Sequence, residues 1–123
     1  MTDKEILKKV EYYANDSIHE SSCCIGYGPH SSVSTTRNYW GGIYTVMERA
    51  SYLVKNVNTL NEFKTAVNTW KAYNQSQYDT NWSKPYYEDD RSMIERNNDG
   101  ATYEGKVRGC DRLLNYIEKL EKE

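Results

Sequence analysis

Apolar residues recur every three or four positions along most of the chain, the repeat that places them on one face of an α-helix. Ile6, Leu7, Val10, Tyr13 and Ala14 do so over residues 3–15, where Thr2 or Asp3 can cap the start. Asn15-Asp16-Ser17 then reads as a break. Trp40, Ile43, Tyr44, Met47, Ala50 and Val54 form a second stripe and predict a helix over 38–56. Thr59 and Glu62 have the spacing of a capping box. Beyond them Leu60, Phe63, Ala66, Val67, Trp70 and Tyr73 carry a third helix to residue 77 or so. A short helix over 89–97, capped by an Asp, meets the turn signal Asn98-Asp99-Gly100. A final helix over 101–121 turns Val107, Cys110, Leu113, Leu114, Ile117 and Leu120 inward.

Two segments lack this repeat. Residues 20–37, ESSCCIGYGPHSSVSTTR, hold two Gly, one Pro and seven Ser or Thr. They predict a loop, with Cys24-Ile25 and Ser32-Val33 as the places where a small β element could form. Residues 78–90, YDTNWSKPYYEDD, predict an aromatic, acidic loop. Loops this long in a small domain usually carry function or are disordered. The expected fold is mainly α: four to five helices in one domain over 1–123, two long loops, and room for a small β element around 20–37.

A chain of 123 residues supports one modest core. Its formal net charge of −2 lacks the basic excess expected of a binder of bulk nucleic acid. Apolar runs stop at three or four residues, too short to cross a bilayer, so no membrane partner is expected. The charged start, MTDKEILKKV, has no apolar signal region, which points to the cytoplasm. Three cysteines, two of them adjacent, do not make a disulfide framework. Twelve Tyr and three Trp stand against one Phe, so most aromatic side chains combine an apolar ring with a polar tip suited to half-buried surfaces.

Catalytic and metal signals are thin. His19, Cys23, Cys24 and His30 give H-x3-C-C-x5-H, but adjacent cysteines do not suit one tetrahedral ion. A Cys–His nucleophile pair lacks an orienting third group and an oxyanion site. Glu88-Asp89-Asp90 reads as a solvated face or a helix cap. No phosphate-binding glycine loop is present. The expectation is a binding protein, not an enzyme, with no metal and no cofactor.

The arginines offer more. Arg108 and Arg112 lie one turn apart on one face of the last helix, beside its apolar stripe. In the plainer reading they pair with carboxylates: Glu104 stands four residues before Arg108, and Glu48, Glu62 or the acidic loop can serve Arg112. In the other reading the two guanidinium forks clamp phosphate oxygens. Gly105 and Gly109 would then allow close approach, unless a second helix crosses there. Trp82 or Tyr87 would stack on a base. The run Ser34-Thr35-Thr36-Arg37-Asn38 reads first as a helix cap. Its hydroxyls and N–H groups could also hold a phosphate, which brings Arg37 into the candidate set.

These features resemble phage-encoded Thoeris anti-defence proteins of the first type: a small tyrosine-rich chain and a C-terminal helix bearing RGCDR, an Arg-x-x-x-Arg pair at Arg108 and Arg112. The resemblance implies a non-enzymatic sponge in the host cytoplasm. It would bind the cyclic ADP-ribose isomer made by bacterial TIR-domain proteins and so inhibit the defence. It also implies self-association into dimers or larger assemblies, with pockets at chain interfaces. The two arginines would contact phosphates, and an aromatic side chain (Trp82, then Tyr87) and an Asn (Asn97 or Asn98) would complete the pocket. The alternative from the aromatic and acidic surface is a small adaptor or inhibitor that binds a host protein.

Overall fold

The computed structural model describes every residue except Ile25 and Ser31. Helix α1 spans Asp3–Cys23, α2 Val33–Leu53, α3 Leu60–Ser83 and α4 Met93–Glu121, and a single 3-10 turn, Tyr86–Glu88, lies between α3 and α4. Each α-helix starts at a side-chain cap. Thr2 and Glu5 form a capping box on α1, Ser32 accepts from Thr35 N on α2, Thr59 from Glu62 N on α3 and Ser92 from Glu95 N on α4. Such a cap contributes about 1 kcal/mol by satisfying an orphan N–H.

The mainly α expectation holds, but boundaries move, and α3 runs on to Ser83 through residues expected in the 78–90 loop. Asn15-Asp16-Ser17 does not stop α1, because two of the three face other helices: Ser17 is buried, and Asn15 Oδ1 accepts from Ser51 Oγ of α2 at 3.0 Å. Helix α2 starts five residues early, with Ser32 and not the 34–38 run as its cap. Asn98-Asp99-Gly100 lies inside α4, so the short helix and the final one are a single element, capped by Ser92 and not by an Asp. No strand occurs among the described residues of 20–37; Ile25 and Ser31 lie outside them.

Helix α4 is the spine. It packs along α2 on one side and α3 on the other, while α1 covers α2. Paired side chains give the directions. Ser34 with Asn98 and Asn38 with Thr102 run α2 and α4 in parallel, whereas Lys71 with Asp111 and Lys64 with Glu121 run α3 antiparallel to α4. The α2–α4 seam is backbone on backbone. A Cβ on Gly42 would meet the Thr102 carbonyl and Lys106 N, and one on Gly105 would meet the Tyr39 carbonyl, so both positions need hydrogen as a side chain. Below this crossing Ile43, Met47, Phe63, Val67, Cys110, Leu113 and Ile117 close the core. Each large apolar side chain buried there contributes roughly 1.5–3 kcal/mol. No helix among the described residues is long and apolar enough to cross a membrane.

Candidate functional site

The parallel register of α2 and α4 brings the second turn of α2 beside the middle of α4, and the connection between α1 and α2 folds over both. Tyr39 and Trp40 are nearly buried there, ring edge to ring face at 5.5 Å between centroids. Trp40 Nε1 donates to the Tyr27 carbonyl, and Thr36 Oγ1 donates to the His30 carbonyl at 3.1 Å. His30 is thereby placed with its ring 5.6 Å from that of Tyr39 and its Nε2 3.1 Å from Glu104 Oε2. That contact lies off hydrogen-bond alignment, so His30 Nε2 is buried without a hydrogen-bond partner among the described residues.

Both arginines belong to this neighbourhood. Arg112 lies over the Trp40 ring, 5.3 Å from its centroid, and reaches Glu20 of α1 at 3.5 Å. Around it Tyr13 stacks on Tyr116 at 4.3 Å, and burial raises the Tyr13 phenol while Arg112 acts to lower it. Arg108 is more exposed. Hydrogen bonding to Tyr39 raises its guanidinium pKa, with smaller contributions from Asp111 and Glu104. It makes no ion pair among the described residues. The carboxylate partners read from sequence are therefore not the ones formed. Glu104 faces His30, and Arg112 takes Glu20 in place of Glu48, Glu62 or the acidic loop.

On its other side Arg108 borders a recess of about 250 Å³ between α3 and α4, lined also by Gln75, Tyr78, Glu104, Val107 and Asp111. Asp111 is engaged by Lys71 Nζ at 2.6 Å. Tyr78 supplies an aromatic wall and Gln75 an amide. Gly105 and Gly109 do not open onto this recess. They are spent on packing, Gly105 against Tyr39 and Gly109 against Val46 and Ile43.

Trp82 and Tyr87 are not brought to Arg108 and Arg112 within one chain. Trp82 lies over Gly100 and beside Arg96, whose guanidinium is 5.2 Å from its ring centroid. Those α4 positions are two to four turns from the arginine pair, about 12–24 Å along the axis. Trp82 reaches the recess only through Tyr78, edge to face at 6.3 Å. Tyr87 projects from the 3-10 turn, 85 % exposed. Arg37 is exposed on α2 with no ion pair among the described residues. Asn98 receives the Ser34 hydroxyl at 3.0 Å. His19, Cys23, Cys24 and His30 do not gather: no group of three or more potential metal ligands forms among the described residues.

Sequence reasoning missed Tyr39, Trp40 and Tyr78. The two α2 aromatics carry the same period as the core and are indistinguishable from it by spacing. Tyr78 falls in the 78–90 segment that lacks the helical repeat; in the structure α3 includes it, one turn before Trp82 and on the α4 side. No family model matches the chain, and no curated protein or solved structure matches it either.

Proposed function

We propose that the chain is a non-enzymatic binding protein that holds a small phosphate-bearing nucleotide of the cyclic ADP-ribose-isomer class in the host cytoplasm. By sequestering that signal it inhibits bacterial anti-phage defence. The observation that carries this reading is Arg108. It is a permanent cation with no carboxylate partner among the described residues, at the edge of a recess walled by Tyr78. Its neighbour Arg112 is held by one exposed carboxylate at 3.5 Å, a weak contact that a phosphate in bidentate geometry can displace. Of the two carboxylates at the recess, Asp111 is engaged by Lys71 at 2.6 Å, and Glu104 lies 3.1 Å from His30 Nε2.

The recess of about 250 Å³ falls below the roughly 300–1,000 Å³ of sites that enclose a small molecule. One chain would therefore cover part of such a ligand, a phosphate and one ring, leaving the remainder open or covered by a second copy.

Isothermal titration with cyclic ADP-ribose isomers tests the proposal. The wild type binds, and Arg108→Ala with Arg112→Ala reduces affinity by at least tenfold. Ligand recovered after heating the complex is chemically unchanged. Absence of binding, or binding indifferent to the double substitution, sinks the reading.

A further inference from the structure

The α3–α4 connection is built more firmly than a connection requires. Arg91 pairs with Asp89 through two parallel bonds, Nε to Oδ1 at 3.0 Å and Nη2 to Oδ2 at 2.7 Å, and its Nη1 reaches Asp99 Oδ2 at 2.7 Å and Asn81 Oδ1 at 2.6 Å. Asn81 Nδ2 donates to the Arg96 carbonyl, and Arg96 Nη2 donates to the Lys84 carbonyl at 2.5 Å. This knot fixes the end of α3, the 3-10 turn and the start of α4 as one rigid knob.

What the knob displays is apolar and acidic. Trp82, Tyr86, Tyr87, Met93 and Ile94 are five of the eleven large apolar side chains left exposed among the described residues. Scattered exposed residues need no explanation, but five on thirteen positions of one rigid element make a patch. Glu88, Asp90 and Glu95 are exposed among them and form no ion pair among the described residues. From Tyr78 to Asp99 six carboxylates face three basic side chains, a net of −3, whereas the whole chain carries −2.

The opposite pole carries the complement. The start of α1 and the end of α2 enclose a groove of about 750 Å³ lined by Leu7, Val54 and Val57 with Lys4, Lys8 and Lys9 around them. Its two acidic members turn to other partners, Glu5 to the Thr2 cap and Glu11 to Lys8 at 3.3 Å and Lys55 at 3.9 Å, and three lysines against two glutamates leave the rim a net of +1. Lys4 and Lys9 make no ion pair among the described residues. The groove is within the size that takes a small aromatic ligand.

We infer that the chain associates pole to pole: the Tyr86–Tyr87 knob of one copy enters the lysine-rimmed groove of the next, with Glu88, Asp90 and Glu95 meeting Lys4 and Lys9. The occupant is a second copy because this chain presents both halves, each charged against the other. A rigid knob loses little conformational freedom on docking. The surfaces differ, so the contact is heterologous and propagates as an open row or a ring, unlike a two-fold dimer. This inference does not rest on the Arg108 recess.

Sedimentation velocity of the wild type over a wide concentration range, in low salt and in 0.5 M salt, tests it in company with two variants. The knob variant is Tyr86→Ser, Tyr87→Ser; the groove variant is Lys4→Glu, Lys9→Glu, so that the two altered faces do not complement each other. All four positions are exposed, and unchanged circular dichroism and melting confirm that both variants fold. Wild-type mass rises with concentration above 14.4 kDa in low salt and falls back in high salt, where the Debye length is about 3–4 Å. Each variant alone stays monomeric, and an equimolar mixture gives a capped dimer of twice the monomer mass, the intact knob of one filling the intact groove of the other. A monomeric wild type at every concentration, association that persists in either variant, or a mixture that forms no dimer overturns the proposal. The first of these outcomes would give the knob to a different protein.

Discussion

The backbone carbonyl of Tyr39 occupies the space that a Cβ on Gly105 would take, so α2 and α4 touch main chain to main chain about one turn before Arg108 leaves the helix. A methyl group there must push the helices apart, since neither backbone can give locally. Gly105→Ala is expected to destabilise by about 1–3 kcal/mol, overpacking outweighing the gain of about 1 kcal/mol in helix propensity. Gly41, one residue from the seam, has nothing near its missing Cβ. Gly41→Ala is expected to stabilise by up to about 1 kcal/mol. Urea titration of both variants separates packing from propensity; two stabilised proteins would contradict the seam.

Asp89 sits in the knot with Arg91, whose hydrogen bonds hold its carboxyl well below the usual carboxylate range. A lowered folded pKa contributes stability above the unfolded value near 3.9, and that contribution is lost as pH falls through the lower folded value. Acid unfolding of the wild type is therefore expected to steepen below about pH 4. Asp89→Asn should flatten that limb while leaving the response above pH 6 unchanged. Equal acid slopes in the two proteins would show that other carboxylates carry the effect.

Arg112 already has a carboxylate, and under the proposed function Glu20 competes with the ligand for it. Glu20→Gln is expected to tighten binding of a cyclic ADP-ribose isomer several-fold. Its effect on stability should stay within about 1 kcal/mol, because the pair is partly exposed. Calorimetric titration and thermal melting read the two effects separately. Weaker binding in Glu20→Gln would mean that the carboxylate orients Arg112 and does not compete.

The three thiols should differ in reactivity. Burial pushes the Cys110 thiol up to about 12, while Cys23 is exposed at the end of α1 and Cys24 is half-buried. At pH 8 Cys110 therefore carries almost no thiolate and no path to solvent. Cys23 is expected to be alkylated first, and Cys110 only when the chain unfolds. Mass spectrometry after a timed pulse of iodoacetamide reads the order.

Helix number and most core residues were legible because α1, α2, α3 and α4 each carry the 3.6-residue repeat. Their ends were not, for a common reason. Gly100 signals a turn in isolation, but it gives Trp82 room to lie on α4. Asp99 signals a turn and serves Arg91; Asn98 does so and serves Ser34. Residues chosen for contacts elsewhere in the fold imitate local breaks. The candidate site was half legible. The Arg108–Arg112 spacing is a helical property and survives, whereas their surroundings are set by the parallel register of α2 and α4, which only folding reveals. Trp82 was judged by its distance along the chain, and helix length carried it away from the pair.

Helix α4 also decides when this protein can exist. It is the last of the four helices to be synthesised, yet it is the surface on which α2 and α3 both rest. Until its residues arrive, Ile43, Met47, Phe63 and Val67 lack the partners that bury them. At 5–20 residues per second the 29 residues of α4 take seconds to appear, and during that time the nascent chain can offer only the α1–α2 pair as folded structure. The fold thus closes only once α4 has been made, and a ribosome that stalls before Met93 leaves Ile43, Met47, Phe63 and Val67 open to chaperones and proteases.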